Sequence, residues 1–174
     1  MMGKTEENLK AAFAGESQAR NKYTFFAKVA RKEGYHYIAK FFERAAENEM
    51  RHAKDHLSLL KGISDTKANL KEAAEGEKYE RVTMYPEFVK EAEAEGAKEA
   101  ANLFRQIAKV EEHHEAKYRK LLEMVENGTV YKREKPIVWR CSQCGFTYEG
   151  TEPPSKCPCC KHPREYFEPE CEDF

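Results

Sequence analysis

Apolar residues recur every three or four positions along the first three quarters of the chain, which is the spacing of one face of an amphipathic helix. The pattern predicts four helices, at residues 5–33, 37–61, 67–95 and 97–126. Asn127-Gly128 after the last stretch is a typical helix-ending signal. Pro86 lies inside the third stretch, where we expect a kink. Four such helices with short joins indicate a helical bundle.

The two halves of the helical region repeat each other at an interval of 62 residues, as Tyr23 and Tyr85 do. An internally duplicated helical hairpin is the economical interpretation. Glu16 corresponds to Glu77 at an interval of 61, so the first helix of each half differs by one residue of register.

The repeat carries a metal-ligand pattern. A Glu-x-x-His motif occurs on the second predicted helix and again on the fourth, and the first and third helices each add a glutamate. A spacing of three residues puts both side chains of a motif on one helix face. Such a set is typical of ferritin-like di-iron carboxylate bundles. The six residues are Glu16, Glu49, His52, Glu77, Glu111 and His114.

All six cysteines fall in the last 34 residues, and this shift in composition marks a domain boundary. We expect a four-helix domain at 1–128, a linker at 129–136 and a small domain at 137–174. About 38 residues cannot bury enough apolar area to fold unaided, so a metal should stabilise the small domain.

Two Cys-x-x-Cys motifs separated by twelve residues form a strong four-thiolate signature. Their spacing does not separate a structural zinc from a redox iron, although a neighbouring di-iron site favours iron. Cys159 and Cys171 fit neither motif and are interpreted as non-ligands. The predicted ligands are Cys141, Cys144, Cys157 and Cys160.

Composition excludes several classes of protein. Charged residues make up 35% of the chain, the net charge is −1, and no apolar run approaches 18 residues, which indicates a soluble protein without a membrane span. Basic and acidic residues are interspersed, which argues against a nucleic-acid surface. The N-terminal residues lead into helical sequence without an apolar export segment, so we expect a cytoplasmic protein.

These motifs together resemble those of a known family, the rubrerythrins. The resemblance covers nearly the whole chain and implies an all-α four-helix ferritin-like bundle followed by a small, metal-stabilised rubredoxin-like β/loop domain. The segments that carry it are residues 12–20, 49–54, 76–80, 84–86, 111–115 and 139–163.

The resemblance also implies the activity, a peroxidase that reduces hydrogen peroxide to water in oxidative-stress defence. Its electrons come ultimately from NAD(P)H, through a separate reductase or a rubredoxin and then through the rubredoxin-like iron. The implied cofactors are two irons in a carboxylate-bridged site and one iron on the four cysteines. By position, the implied di-iron ligands are Glu16, Glu49, His52, Glu77, Glu80, Glu111 and His114.

Four residues have implied or possible catalytic roles, namely Glu80, His52, Tyr23 and Tyr85. In the family, a glutamate at the position of Glu80 exchanges with a histidine at the position of His52 as an iron ligand when the redox state changes. The equivalent of Glu80 in the first half is Ala19, so the extra acid breaks the duplication. Tyr23 and Tyr85 lie about two turns past a ligand glutamate, where they either hydrogen-bond to bound carboxylates or peroxide or are ordinary core residues.

The short join between the second and third helices predicts a homodimer. These helices run parallel in a ferritin-like bundle, so the join must span roughly 30 Å, and a few extended residues are too short for that. A domain-swapped dimer solves the problem, because the first hairpin of one chain then packs on the second hairpin of its partner. Two alternative functions stay open, a ferroxidase or iron-handling ferritin-like protein and a purely structural metalloprotein.

Overall fold

The computed structural model describes residues 3–171, in five α-helices, one π-helical segment and three β-strands. The outermost residues of the first and last predicted domains lie outside this range. The helices are α1 (Lys4–Lys32), α2 (His36–Leu59), α3 (Thr66–Tyr79), α4 (Tyr85–Ala94) and α5 (Lys98–Glu126), with the π-helical segment at Glu80–Met84. The strands are β1 (Ile137–Cys141), β2 (Thr147–Gly150) and β3 (Phe167–Pro169), and a short 3-10 turn at Arg164–Tyr166 precedes β3.

The chain divides between Asp65 and Thr66 into two compact units. The first unit is the hairpin of α1 and α2. The second contains α3, the π-helical segment and α4, which pack on α5, followed by the small sheet. No helix within residues 3–171 has both the length and the apolar composition that a bilayer crossing requires.

The helices of both hairpins end in the same way, as the duplicated sequence predicts. Gly34 after α1 and Gly96 after α4 adopt left-handed φ angles of 87° and 75°, which favour glycine. In each turn the N–H of the next residue donates to the carbonyl oxygen five residues earlier, at 2.8 Å. This bond is the mark of a Schellman motif, and it reverses the chain for the second helix of the hairpin.

The first hairpin buries small residues and exposes large ones. Its buried apolar residues are all alanines, which allow α1 and α2 to approach closely. Phe25 and Phe41 are 58% and 59% exposed, and Ile38 is also exposed. The hairpin therefore presents an apolar face that its own helices do not cover.

The third predicted helix is interrupted by the π-helical segment, and Pro86 follows the interruption instead of producing it. The segment explains the one-residue change of register in the repeat. Tyr23 is the seventh residue after Glu16, whereas Tyr85 is the eighth residue after Glu77. A π turn holds one more residue than an α turn. Pro86 has no N–H and lies in the first turn of α4, where the missing donor is tolerated.

The small domain is an antiparallel sheet in the order β2-β1-β3. Its central strand carries Trp139, which is fully buried and donates its indole N–H to the Gly150 carbonyl at 3.0 Å. The buried core contains only Trp139, Cys141, Cys157 and Phe167 among the described residues. Two of these four are predicted metal ligands, so the core and the metal site are one structure.

Candidate metal centres

The first hairpin brings together Glu16 of α1 with Glu49 and His52 of α2. The His52 Nδ1 atom lies 2.9 Å from a Glu49 carboxylate oxygen and 3.9 Å from one of Glu16. One ligand atom from each residue lies within 4.8 Å of the others. The carboxylates are partly buried, whereas the His52 side chain is 52% exposed. The structure thus assembles three predicted ligands from two neighbouring helices.

The second unit repeats this cluster with Glu77 of α3 and with Glu111 and His114 of α5. The His114 Nδ1 atom lies 2.7 Å from a Glu111 oxygen and 3.6 Å from a Glu77 oxygen. These ligand atoms also lie within 4.8 Å of one another. The matching distances show that the duplicated sequence folds into two matching groups of ligands.

The charges of the second cluster fit a bound cation. Burial raises the pKa of the Glu77 carboxyl, and the hydrogen bond and negative charge of Glu111 raise it further. Two carboxylates at short range repel each other unless a proton or a metal ion lies between them. A divalent or trivalent cation would replace that proton, and mixed carboxylate and imidazole ligands suit iron.

Glu80 lies near this cluster without belonging to the group of close ligand atoms. It is the first residue of the π-helical segment, and its negative charge contributes to raising the pKa of both Glu77 and Tyr85. Burial is the largest cause of the raised pKa of Tyr85. The Tyr85 phenol therefore stays protonated and can donate a hydrogen bond at neutral pH.

In each unit, the tyrosine that comes two turns after the first ligand glutamate packs with two phenylalanine rings. Tyr23 packs with Phe26 and Phe42, at ring-centroid distances of 6.3 Å and 6.1 Å. Tyr85 packs in the same way with Phe88 and Phe104, at 6.2 Å and 6.1 Å. Both tyrosines thus contribute to aromatic packing, while the charges of three glutamates act on the Tyr85 hydroxyl.

The four predicted cysteine ligands converge in the small domain. The Sγ atoms of Cys141 and Cys160 are 3.7 Å apart, and so are those of Cys144 and Cys157. Four sulfurs placed about 2.3 Å from a central metal in a tetrahedron are separated by about 3.8 Å. The spacing therefore fits a tetrahedral thiolate site.

The backbone around Cys157 favours a thiolate. Each Cys-x-x-Cys loop turns through a left-handed residue, Gly145 in the first and Lys161 in the second, whose N–H donates to the carbonyl of the first cysteine. Burial raises the pKa of the Cys157 thiol, but hydrogen bonds from the backbone N–H groups of Cys160 and Cys159 and from neighbouring thiols outweigh burial, and the pKa falls to about 7. A backbone hydrogen bond lowers the pKa of the Cys144 thiol, but burial and the neighbouring thiols outweigh it and raise the pKa to about 12. One thiolate, on Cys157, therefore forms at little cost, and a bound metal would displace the proton of Cys144.

The two remaining cysteines stay outside this group. Cys159 and Cys171 are exposed, and the four converging sulfurs include neither. His162 lies with its Nδ1 atom 3.3 Å from the Cys160 sulfur and packs against Tyr166.

Family profiles match both parts of the chain. A profile described as rubrerythrin matches residues 7–122, and one described as the rubredoxin-like domain of rubrerythrin matches residues 139–168. The chain belongs to the rubrerythrin family. Its fold is therefore the ferritin-like four-helix bundle with a rubredoxin-like domain, as the sequence predicted.

Several rubrerythrins are similar over nearly the whole chain. The rubrerythrin of Porphyromonas gingivalis is 49% identical and is aligned over 95% of this chain and 90% of its own length. The rubrerythrins of Clostridium perfringens and Nitratidesulfovibrio vulgaris are 45% and 41% identical, each over 95% of this chain and 93% of their own. A solved structure of nigerythrin in its fully reduced, all-ferrous state is 33% identical, covers 97% of this chain and 88% of its own, and has a TM-score of 0.38.

Membership of the rubrerythrins identifies the cofactors and the broad chemistry. The chain is an iron-binding oxidoreductase with a carboxylate-bridged di-iron site and one iron on four cysteines. Each of the two Glu-Glu-His clusters, one in each compact unit, offers carboxylate and imidazole ligands of the kind that such a site requires. The prediction of three irons from the sequence is confirmed.

Proposed function

We propose that this rubrerythrin is a non-haem di-iron peroxidase that reduces hydrogen peroxide to two water molecules, with two electrons and two protons, in oxidative-stress defence. The observation that carries the proposal is the presence of two Glu-Glu-His clusters and a four-thiolate site in one chain. Bound iron supplies the electrons and the positive charge that the departing hydroxide needs. NAD(P)H is the ultimate electron source, through a separate reductase or a rubredoxin.

The residues of the two clusters and their neighbours have three tasks in this proposal. The glutamates hold the metal pair and tolerate both of its oxidation states because carboxylates can change how many oxygens they contribute. Tyr85 keeps its proton and would donate a hydrogen bond to a bound carboxylate or to peroxide. Its repeat partner Tyr23 has a hydroxyl that would form such a hydrogen bond in the first hairpin. As the resemblance implies, Glu80 would exchange with His52 as an iron ligand when the redox state changes. A structure of the reduced, iron-loaded protein with Glu80 bound and His52 distant would refute this exchange.

We further propose that the active form is a domain-swapped homodimer, in which the first hairpin of one chain completes the site of the other. If both clusters serve one di-iron site, the join from Leu59 to Thr66 must cover about 15 Å of α2 beyond Glu49 and about 16 Å of α3 before Glu77. Seven extended steps reach only about 25 Å. Backbone hydrogen bonds within residues 57–62 end α2 in a tight turn, which shortens the reach further.

The exposed apolar face of the first hairpin supports this arrangement, because a second hairpin packed on it would bury several aromatic side chains. Reduced cysteines suit the cytoplasm, which we propose as the location. The domain limits of 1–128, 129–136 and 137–174 belong to the same proposal.

Steady-state turnover tests the peroxidase function. Iron-loaded protein is mixed with a rubredoxin, its reductase and NADH, and peroxide consumption is followed. We expect peroxide-dependent NADH oxidation that is lost in Cys144→Ser, which removes a thiolate ligand, and kept in Cys171→Ser, which removes an exposed cysteine outside the site. Oxygen-driven oxidation of added ferrous iron that exceeds peroxide reduction would instead support the ferroxidase alternative.

A further inference from the structure

The second unit contains a buried carboxylate that belongs to neither metal cluster. Glu115 of α5 follows His114 directly and is 8% exposed. One carboxylate oxygen accepts from Arg81 Nε at 3.0 Å and from Arg81 Nη2 at 2.9 Å. The other oxygen accepts from Arg119 Nε at 2.8 Å. Two guanidinium groups thus neutralise this carboxylate, and it is not available as a metal ligand.

Arg81 links this carboxylate to the π-helical segment. It directly follows Glu80, and its ion pair with Glu115 joins positions 34 residues apart. Arg119 extends the network to Glu75 of α3, at 3.1 Å. Arg81 therefore connects the segment that contains Glu80 to α5, one residue after His114. Arg119 connects α5 to α3, two residues before Glu77.

The first hairpin lacks this network. Ala53 occupies the position of Glu115 in the repeat, and Arg20 occupies the position of Arg81. Arg20 is exposed and donates to the neighbouring Asn21 at 3.0 Å. The helix α1 is α-helical from Lys4 to Lys32. The inserted residue, the extra acid and the buried ion pair therefore occur together, in the same half of the molecule.

We propose that Arg81 and Glu115 are positioning residues, whose ion pair holds the π-helical segment on α5 and thereby sets the position of the Glu80 carboxylate beside the second cluster. A π turn is wider than an α turn and less regular in its hydrogen bonds, so a fixed geometry requires support from outside the turn. Hydrogen bonds between charged groups are the strong ones, so the pair of Arg81 with Glu115 can supply this support. The inference rests on the proposed function only in assigning Glu80 to the iron.

The test is a double-mutant cycle with Glu115→Gln and Glu80→Gln, because residues that act through one another are not additive. The readout is the magnetic circular dichroism of the all-ferrous protein, which reports the coordination of each iron, with anaerobic ferrous titration for stoichiometry. We expect Glu115→Gln to change the spectrum as Glu80→Gln does, and the double variant to show no further change. Arg81→Lys, which keeps the charge and loses the fork of donors, should give the same change.

A second readout needs no iron. Amide hydrogen exchange of residues 80–84 in the metal-free protein should accelerate by about tenfold in Glu115→Gln, because the segment opens more readily. The matched control is Glu93→Gln, which breaks the exposed ion pair of Glu93 with Arg105 between α4 and α5 and should leave both readouts unchanged. A wild-type spectrum in both Glu115→Gln and Arg81→Lys, or additive changes in the double variant, would overturn the proposal. If the variants change the spectrum as expected but the natural protein fails to reduce peroxide, only the proposed function is refuted.

Discussion

The backbone N–H of Tyr85 donates to the carbonyl oxygen of Glu80, five residues earlier, where an α-helix would use the carbonyl of Arg81. This π-type bond accommodates the one extra residue that the second half of the repeat has between Glu77 and Tyr85. It also joins the two residues beside the second cluster for which we propose roles at the iron site, Glu80 as a ligand and Tyr85 as a hydrogen-bond donor. The irregular turn and the proposed chemistry thus occupy the same short stretch, residues 80–85.

Replacement of Glu80 by Gln should slow peroxide reduction. The substitution removes a negative charge that lies close to Glu77 and Tyr85, and we expect a loss on the order of 10- to 100-fold in turnover, as for other groups that support a metal site. Steady-state peroxide reduction at equal iron content measures it. The control Glu91→Gln removes an exposed acid on α4 and should keep full activity. Wild-type turnover in Glu80→Gln would refute the role of Glu80.

The metal-free protein should lose stability as pH rises through the pKa of Glu77. The folded state raises that pKa, so it binds the proton more tightly than the unfolded chain does. The stabilising contribution is then complete below the ordinary glutamate pKa and disappears above the raised one. Glu77→Gln should remove this part of the pH dependence and should be the more stable variant at neutral pH. Urea unfolding followed by helical circular dichroism, from pH 4 to 7, measures the difference, and parallel curves for both proteins would contradict it.

Removal of iron from the four-cysteine site should unfold the small domain and leave the helices intact. Its core is too small to fold alone, and the ligands Cys141 and Cys157 are part of that core. Trp139 is the only tryptophan in the sequence and is fully buried, so its emission maximum reports this domain alone. We expect a red shift on chelation under reducing conditions, with little change in helical circular dichroism. An unchanged emission maximum would show that the sheet is stable without metal.

A longer join between α2 and α3 should convert the proposed domain-swapped dimer to a monomer. An insertion of about twelve Gly and Ser residues after Ser64 extends the reach of the join well beyond 30 Å when it is stretched, so one chain can pair its own hairpins. Light scattering after size exclusion should show dimers for the natural chain and monomers for the insertion variant at low concentration. The same insertion after Lys132, in the linker to the small domain, should leave the dimer unchanged. An active, iron-loaded natural monomer would refute the domain swap.

The sequence predicted the helices and both kinds of metal ligand because these features are local and periodic. Glu49 and His52 lie three residues apart on one helix, and the cysteine spacing is readable without a structure. The π-helical segment left only one trace, the interval of 61 instead of 62. The pairing of Arg81 with Glu115 left none, since it joins residues 34 positions apart and depends on how α5 packs against the irregular turn.

The proposed role of His52 also could not be predicted from the local sequence pattern. Its helix face follows from the spacing to Glu49, but its side chain is half exposed, and its proposed exchange with Glu80 involves a residue of the other unit. A periodic pattern within one chain contains no information on such a pairing. A hydrophobic period indicates which face of a helix is buried. The positions of charged residues do not indicate which distant residue each of them contacts.

Anaerobic stopped-flow mixing of fully reduced, iron-loaded protein with hydrogen peroxide, with dissolved oxygen as the parallel oxidant, is the most direct test of the central claim. The ferric four-thiolate iron is red, so its colour reports when electrons have left the rubredoxin-like site. A peroxidase connected through both iron sites should regain this colour rapidly with peroxide and slowly with oxygen. Faster recovery with oxygen, or no colour change with peroxide, would contradict the account.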